Sequence, residues 1–196
     1  MRLILATLTF IFIAGCTNKL AETNLNPTQL DLPKYVQELV KNMSDKHLKI
    51  SKTFILNNKS ETKIYTKSDS SFWRKELAIL EQLDLNSPQL SGTFEIEKGS
   101  KDQFSNLLID KYSFTVKDGI GIKELLIYYL DDPADIRQIK AEITTKNLIS
   151  KSNSQLSIWV NRYGEDLLVD SLEVISQDKT LMQPARNYRS ITTVER

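Results

Sequence analysis

Hydrophobic and polar positions divide this chain into stretches of three different periods. Leu3–Gly15 is an uncharged, mostly apolar run of 13 residues, and Thr17–Leu30 is polar with no clear repeat. Leu32, Tyr35, Val36, Leu39, Val40 and Met43 then recur at helical spacing, which predicts a helix over about Leu32–Ser44. Asp31 can cap it, Pro33 fits its opening turn, and Leu30 can staple back onto Tyr35. Leu48, Ile50, Phe54 and Leu56 alternate with mostly polar residues, Asn57-Asn58 offers a turn, and Glu61–Thr66 returns, so a hairpin follows. A second helix is expected over about Ser71–Leu83, with caps among Asp69, Ser70 and Ser71. Trp73, Leu77 and Leu80 stand on its apolar face, and Asn86-Ser87-Pro88 stops it.

From Gln89 the period becomes two and stays there. Leu90, Phe94 and Ile96 alternate with Ser91, Thr93, Glu95 and Glu97, which predicts a strand buried on one face. Leu107–Val116 and Ile122–Leu130 flank the turn Lys117-Asp118-Gly119, and Asp131-Asp132-Pro133 breaks the chain. Further strands are expected at Ile136–Lys146, Gln155–Val160, Leu167–Ser176 and Arg186–Val194. No strand–helix–strand alternation appears, so the expectation is α+β. Two N-terminal helices would pack on a curved antiparallel meander of about seven to nine strands. In outline this resembles the half-open barrel of outer-membrane lipoprotein carriers, which hold acyl chains between a curved sheet and helices. That likeness is of architecture and carries no activity with it.

The opening run changes where such a domain should sit. A helix needs about 20 residues to cross a bilayer, so Leu3–Gly15 is too short to span. With Arg2 before it and small residues at its end, it reads as a secretory signal. Ile13-Ala14-Gly15-Cys16 resembles the lipobox of bacterial lipoproteins, with Ile where Leu is usual. That resemblance implies cleavage between Gly15 and Cys16, a diacylglyceryl thioether on Cys16, and acylation of the new amino terminus. It divides the chain into a signal peptide (1–15), a lipidated cysteine with a flexible tether (16–30), and one α+β domain (31–196). About 14 residues of random coil span roughly 20 Å, and two or more acyl chains make attachment to a membrane nearly permanent. Cys16 is the only cysteine, so no disulfide competes for its sulfur. Thr17 stands where an Asp would signal inner-membrane retention, so the resemblance implies an outer-membrane position facing the periplasm. Trp73-Arg74-Lys75-Glu76-Leu77 and Asp84-Leu85-Asn86-Ser87-Pro88 also resemble a stretch of small uncharacterised envelope lipoproteins.

Composition narrows the partners. Removing 15 of the 196 residues leaves 181, enough for one domain with a core. The 26 basic and 25 acidic residues become 25 of each without Arg2, so overall charge gives no reason to expect nucleic acid or an anionic membrane face.

Candidate chemistry is sparse. There is no Gly-x-Ser-x-Gly elbow and no phosphate loop, and Gly119-Ile120-Gly121 lacks a third glycine and a following helix. His47 is the only histidine, which disfavours a zinc site or histidine-based catalysis. Glu95 and Glu97 share a strand face and are the best carboxylate pair for an envelope hydrolase. On that polar parity they read as a solvated face. Asp131, Asp132 and Asp135 lack the ligand order of a calcium loop, so no metal or other cofactor is expected. Trp159, opposite in parity to Leu156, Ile158 and Val160 and close to Arg162 and Tyr163, has the composition of a partner-contact patch. The expectation is therefore a non-enzymatic envelope lipoprotein that binds a partner protein or an apolar ligand. A carboxylate hydrolase and a purely structural or assembly lipoprotein are the alternatives.

Overall fold

A computed structural model describes residues 29–46, 48–57, 59–81, 83–88, 90–115 and 120–196. The signal segment with Gly15 and Cys16, residues 17–28, His47, Asn58 and the Lys117-Asp118-Gly119 turn lie outside the described residues.

The helices form where capping and apolar spacing coincide. α1 (Leu32–Ser44) starts at Asp31, whose Oδ1 accepts from Lys34 N at 2.9 Å, and its buried stripe is the one the spacing predicts. α2 (Ser70–Glu81) follows Asp69, whose carboxylate accepts from Phe72 N and Ser71 Oγ, both at 2.8 Å. These bonds hold the Asp69 carboxyl below the usual carboxylate range. Trp73, Leu77 and Leu80 are fully buried, and the Trp73 indole N–H donates to buried Ser68.

The strands are β1 (Lys49–Leu56), β2 (Lys59–Tyr65), β3 (Phe94–Lys101), β4 (Leu108–Phe114), β5 (Ile120–Tyr129), β6 (Ile136–Lys146), β7 (Ser150–Tyr163), β8 (Asp166–Thr180) and β9 (Arg186–Glu195). They form one antiparallel sheet in the order β2-β1-β9-β8-β7-β6-β5-β4-β3. The early hairpin β1–β2 thus joins the last strand, Thr53 pairing with both Thr62 and Ile191. The sheet is open, with β2 and β3 as its edges. Charges along them, among them Lys59, Glu61 and Lys63 on β2 and Glu95, Glu97 and Lys101 on β3, discourage pairing with another chain.

Three bulges set which residues face the helices. The register shifts at Lys123 and Arg137, so Ile122 and Ile136 join Leu125, Ile127, Ile139 and Ala141 on one side. A third, at Asp170, keeps both Val169 and Leu172 on that side, opposite Val160 and Ile158. The core lies between this face and the two helices, and among the described residues all its buried members fall at or after Leu32.

α1 crosses the sheet at the end carrying the β5–β6 and β7–β8 turns. There Asn42 Nδ2 donates to Leu167 O at 3.2 Å, Lys46 pairs with Asp166, and Gln29 accepts from Tyr112 Oη at 3.2 Å. α2 is tied to β1 and β9 through Glu76, which accepts from Lys52 Nζ at 2.5 Å and Thr192 Oγ1 at 3.1 Å. Among the described residues no helix is long and apolar enough to cross a membrane.

The strand expected from Leu90 starts later, at Phe94, and runs on to Lys101. Leu90 and Gly92 belong to consecutive turns: Leu90 N donates to Ser87 O, Thr93 N donates to Leu90 O, and Gly92 has φ +70°. Nor is β3 buried on one face. It is an edge strand, with Phe94 half-buried and Ile96 36% exposed. β7 and β8 extend well past Gln155–Val160 and Leu167–Ser176, carried by serines and charged residues without apolar alternation.

Candidate functional site

Beyond the helix-covered core, the sheet face continues toward the end carrying the β6–β7 and β8–β9 turns. The chain leaving α2 overhangs this region in a series of tight turns. Leu83 N donates to Leu80 O at 3.0 Å, and Ser87 N donates to Asp84 O at 3.0 Å. Under the overhang lies a cleft of ≈ 520 Å³. Ile79, Leu83 and Leu90 form its roof, and Ile122, Ile143 and Ser154 its floor. Ile122 reaches it because of the Lys123 bulge.

The floor changes character from strand to strand. Ile122 pairs with Ile143, Ile143 with Ser154, and Ser154 with Ser176. Ser154 and Ser176 share a hydrogen bond at 2.8 Å. Ser152 Oγ donates to Asp178 Oδ1 at 2.5 Å, and Ser176 Oγ lies 3.2 Å from the same oxygen. Ser176 is 2% exposed, so its hydroxyl is satisfied inside the sheet surface. Beyond the serines the floor is apolar again. Phe54 stacks on Tyr188 with centroids 5.9 Å apart, and Phe54 and Leu56 are 43% and 38% exposed on the helix-facing side. The surface therefore offers apolar walls on both sides of a narrow hydroxyl strip, suited to an amphiphile.

A second recess, ≈ 530 Å³, sits at the α1 end beside Leu30, Tyr112, Ile127 and Tyr129. Its one buried carboxylate, Asp110, is occupied structurally: Tyr129 Oη donates to it at 2.9 Å and Gly99 N at 3.0 Å. Burial and the Asp110 charge push the Tyr112 hydroxyl up to about 12, and burial raises Tyr129 as well.

The residues singled out from sequence are scattered. Trp159 is half-buried on the face away from the helices, in a groove of ≈ 420 Å³ with Leu126, Lys140 and Ile175. Tyr163 shares that parity; its hydroxyl donates to Asp170 at 2.9 Å and the Arg196 guanidinium covers its ring at 3.8 Å. Arg162 has the other parity. It donates to Glu165 O at 3.4 Å, and its charge acts on Tyr35 of α1, so it does not join Trp159. Glu95 and Glu97 are exposed on edge strand β3, and Glu97 pairs across from Lys111, which is bound to Glu124 at 2.6 Å. The two carboxylates thus stand in solvent and not in a cleft. Asp132 accepts from Ala134 N at 2.8 Å, Asp135 pairs with Arg137 at 2.9 Å, and Asp131 is exposed. Among the described residues no three acidic, His or Cys side chains come together to hold a metal ion.

A binding cleft between sheet and helices was expected from the sequence, but not which residues line it. One signal for it was present: Ser150, Ser152 and Ser154 continue the parity of Leu156, Ile158 and Val160, so the buried face of β7 turns to hydroxyls. The overhang of Leu83 and Leu90 above Ile122 and Ile143 had none, because it is a contact over long sequence separation. Comparison with known protein families, with curated proteins and with solved structures finds no match for this chain.

Proposed function

We propose that this chain is an envelope lipoprotein, acylated on Cys16 and held at the outer membrane facing the periplasm, that binds an elongated apolar ligand such as an acyl chain in the α2–sheet cleft. On this reading the open sheet and its helices act as a half-open barrel around the ligand. The acyl chain lies against Ile79, Leu83, Ile122 and Ile143, and a polar head meets the hydroxyls of Ser152 and Ser154. The observation that carries the reading is the cleft: its volume falls in the range of small-ligand sites, and apolar walls border convergent polar groups. The lipobox at Ile13-Ala14-Gly15-Cys16 supports the location.

The test is titration with a fluorescent fatty acid. The wild type should bind it saturably. Ile143→Trp, which fills the floor with a side chain suited to a strand, should weaken binding at least about ten-fold while circular dichroism stays unchanged. Equal affinity in the two proteins would end the proposal for this cleft.

The groove around Trp159 favours a second reading, in which a partner protein docks on the opposite face. A half-buried Trp flanked by Leu126 and Ile175 has the make-up of a contact hot spot.

A further inference from the structure

Two adjacent hairpin ends carry side chains that the core does not use. Leu148 and Ile149 form the β6–β7 turn, and Leu181 and Met182 open the β8–β9 turn. Their exposures are 97%, 62%, 61% and 101%. Leu181 N donates to Ile149 O at 2.8 Å, so the two tips form one unit. Asn147 Oδ1 accepts from Ile149 N at 3.0 Å and Ser150 N at 2.8 Å, which fixes the first tip. Met182 has φ +65°, a left-handed conformation where Gly or Asn is the favourable residue. Met182 holds that conformation against local preference, with its side chain wholly exposed.

Directly behind the tips runs a row of like charge. Lys151 pairs across from Lys179, and both are exposed. Like charges directly opposite on neighbouring strands destabilise a sheet. The next row on that face, Thr144, Asn153 and Gln177, carries no charge. The charge of the whole chain is nearly balanced, at +1, yet two lysines stand side by side at this end.

We infer that these tips are a docking edge for an anionic lipid bilayer. Protein contact sites centre on aromatic residues, Met and Arg and are depleted in Lys. Here three of the four protruding groups are aliphatic, none is aromatic, and the charges behind them are lysines. That arrangement lets apolar tips enter the acyl boundary while ammonium groups meet lipid phosphates. The edge also adjoins the cleft: Thr145 lines the cleft and Lys146 begins the tip. Docking would set the mouth of the cleft against lipid, making the bilayer the source or the destination of the apolar ligand. Only this last consequence rests on the proposed ligand binding; the docking does not.

The experiment uses the unacylated chain from Thr17 to Arg196, which contains every core residue among the described ones. It is sedimented with vesicles of phosphatidylethanolamine and phosphatidylglycerol, and separately with phosphatidylcholine vesicles. The wild type should pellet with the anionic vesicles only. Lys151→Ala with Lys179→Ala should weaken binding roughly twenty-fold at low salt, with a smaller effect at high salt. Leu148→Asp with Met182→Asp should abolish pelleting and leave fatty-acid titration unchanged, which separates failure of docking from failure of the cleft. In Leu148→Trp the tip fluorescence should shift to the blue on adding anionic vesicles. Wild-type protein that stays in the supernatant, or an Asp variant that pellets as well as wild type, would overturn the inference. So would self-association of the wild type, lost in the Asp variant, without vesicle binding.

Discussion

Tyr112 shows how one side chain links the start of the described chain to the core. It is 1% exposed on β4, its hydroxyl donates to Gln29, and both burial and the neighbouring Asp110 oppose its ionisation. In the unfolded chain a tyrosine titrates near 10; in the fold Tyr112 holds its proton to about 12. The folded protein therefore keeps a proton that the unfolded chain gives up, and stability falls as pH rises through this interval. Tyr35 and Tyr129, both raised chiefly by burial, act in the same direction. Urea unfolding at pH 8 and pH 11 should show a marked loss of stability at the higher pH, and a smaller loss in Tyr112→Phe. Equal losses in the two proteins would show that Tyr112 is not a source of the alkaline sensitivity. Residue-scale chemistry was partly legible beforehand. Parity placed Trp159 on the face away from the core, and the same rule, carried three residues on, puts Arg162 on the other side. Chain proximity had suggested a cluster that strand geometry separates.

At the scale of elements, the helices were the most legible parts, because capping and apolar spacing agree within a few residues of sequence. The α1 stripe from Leu32 to Met43 was recovered in full. Strand ends were less so. β3 starts late because Leu90 and Gly92 are taken by turns, and β7 and β8 run long because their tails pair through backbone bonds that need no apolar alternation. The three bulges were not visible at all, since each depends on register with a neighbouring strand. α2 has no acidic residue in its first turn and no basic residue in its last, so its place depends on packing and on the Asp69 cap. Leu77, fully buried, is the centre of that packing. Leu77→Ala should cost about 2–5 kcal/mol in urea unfolding, read as a lower midpoint at unchanged slope. Phe104→Ala, at a side chain 93% exposed, should move the midpoint by less than about 0.5 kcal/mol. Comparable effects at the two positions would mean that α2 is not seated as described.

The whole molecule has two dissimilar ends. Gln29, through which residues 16–28 join the domain, sits against Tyr112 at the α1 end, whereas Leu148, Ile149, Leu181 and Met182 project from the other. β6 alone covers 11 residues, about 35 Å of strand between those ends. The 14 residues from Cys16 to Gln29 reach at most ~45 Å when fully drawn out, and roughly 20 Å as a coil. If Cys16 is acylated as proposed, one bilayer holding both its lipid and the hairpin tips would need either the strands laid along it or the tether drawn out to most of its length. A second bilayer facing the first needs neither. The acylated protein, reconstituted into one set of vesicles, should therefore gather a second, anionic set, read as turbidity and as transfer between two fluorescent lipid dyes. Cys16→Ser removes the bond at one end, and Leu148→Asp with Met182→Asp removes the contact at the other; each change should abolish the gathering. The Cys16→Ser protein, cleared of its leader, should still pellet singly with anionic vesicles. Gathering that survives the paired Asp substitutions would place the second contact elsewhere on the molecule, and gathering that survives Cys16→Ser would mean that the sulfur is not what holds the first membrane.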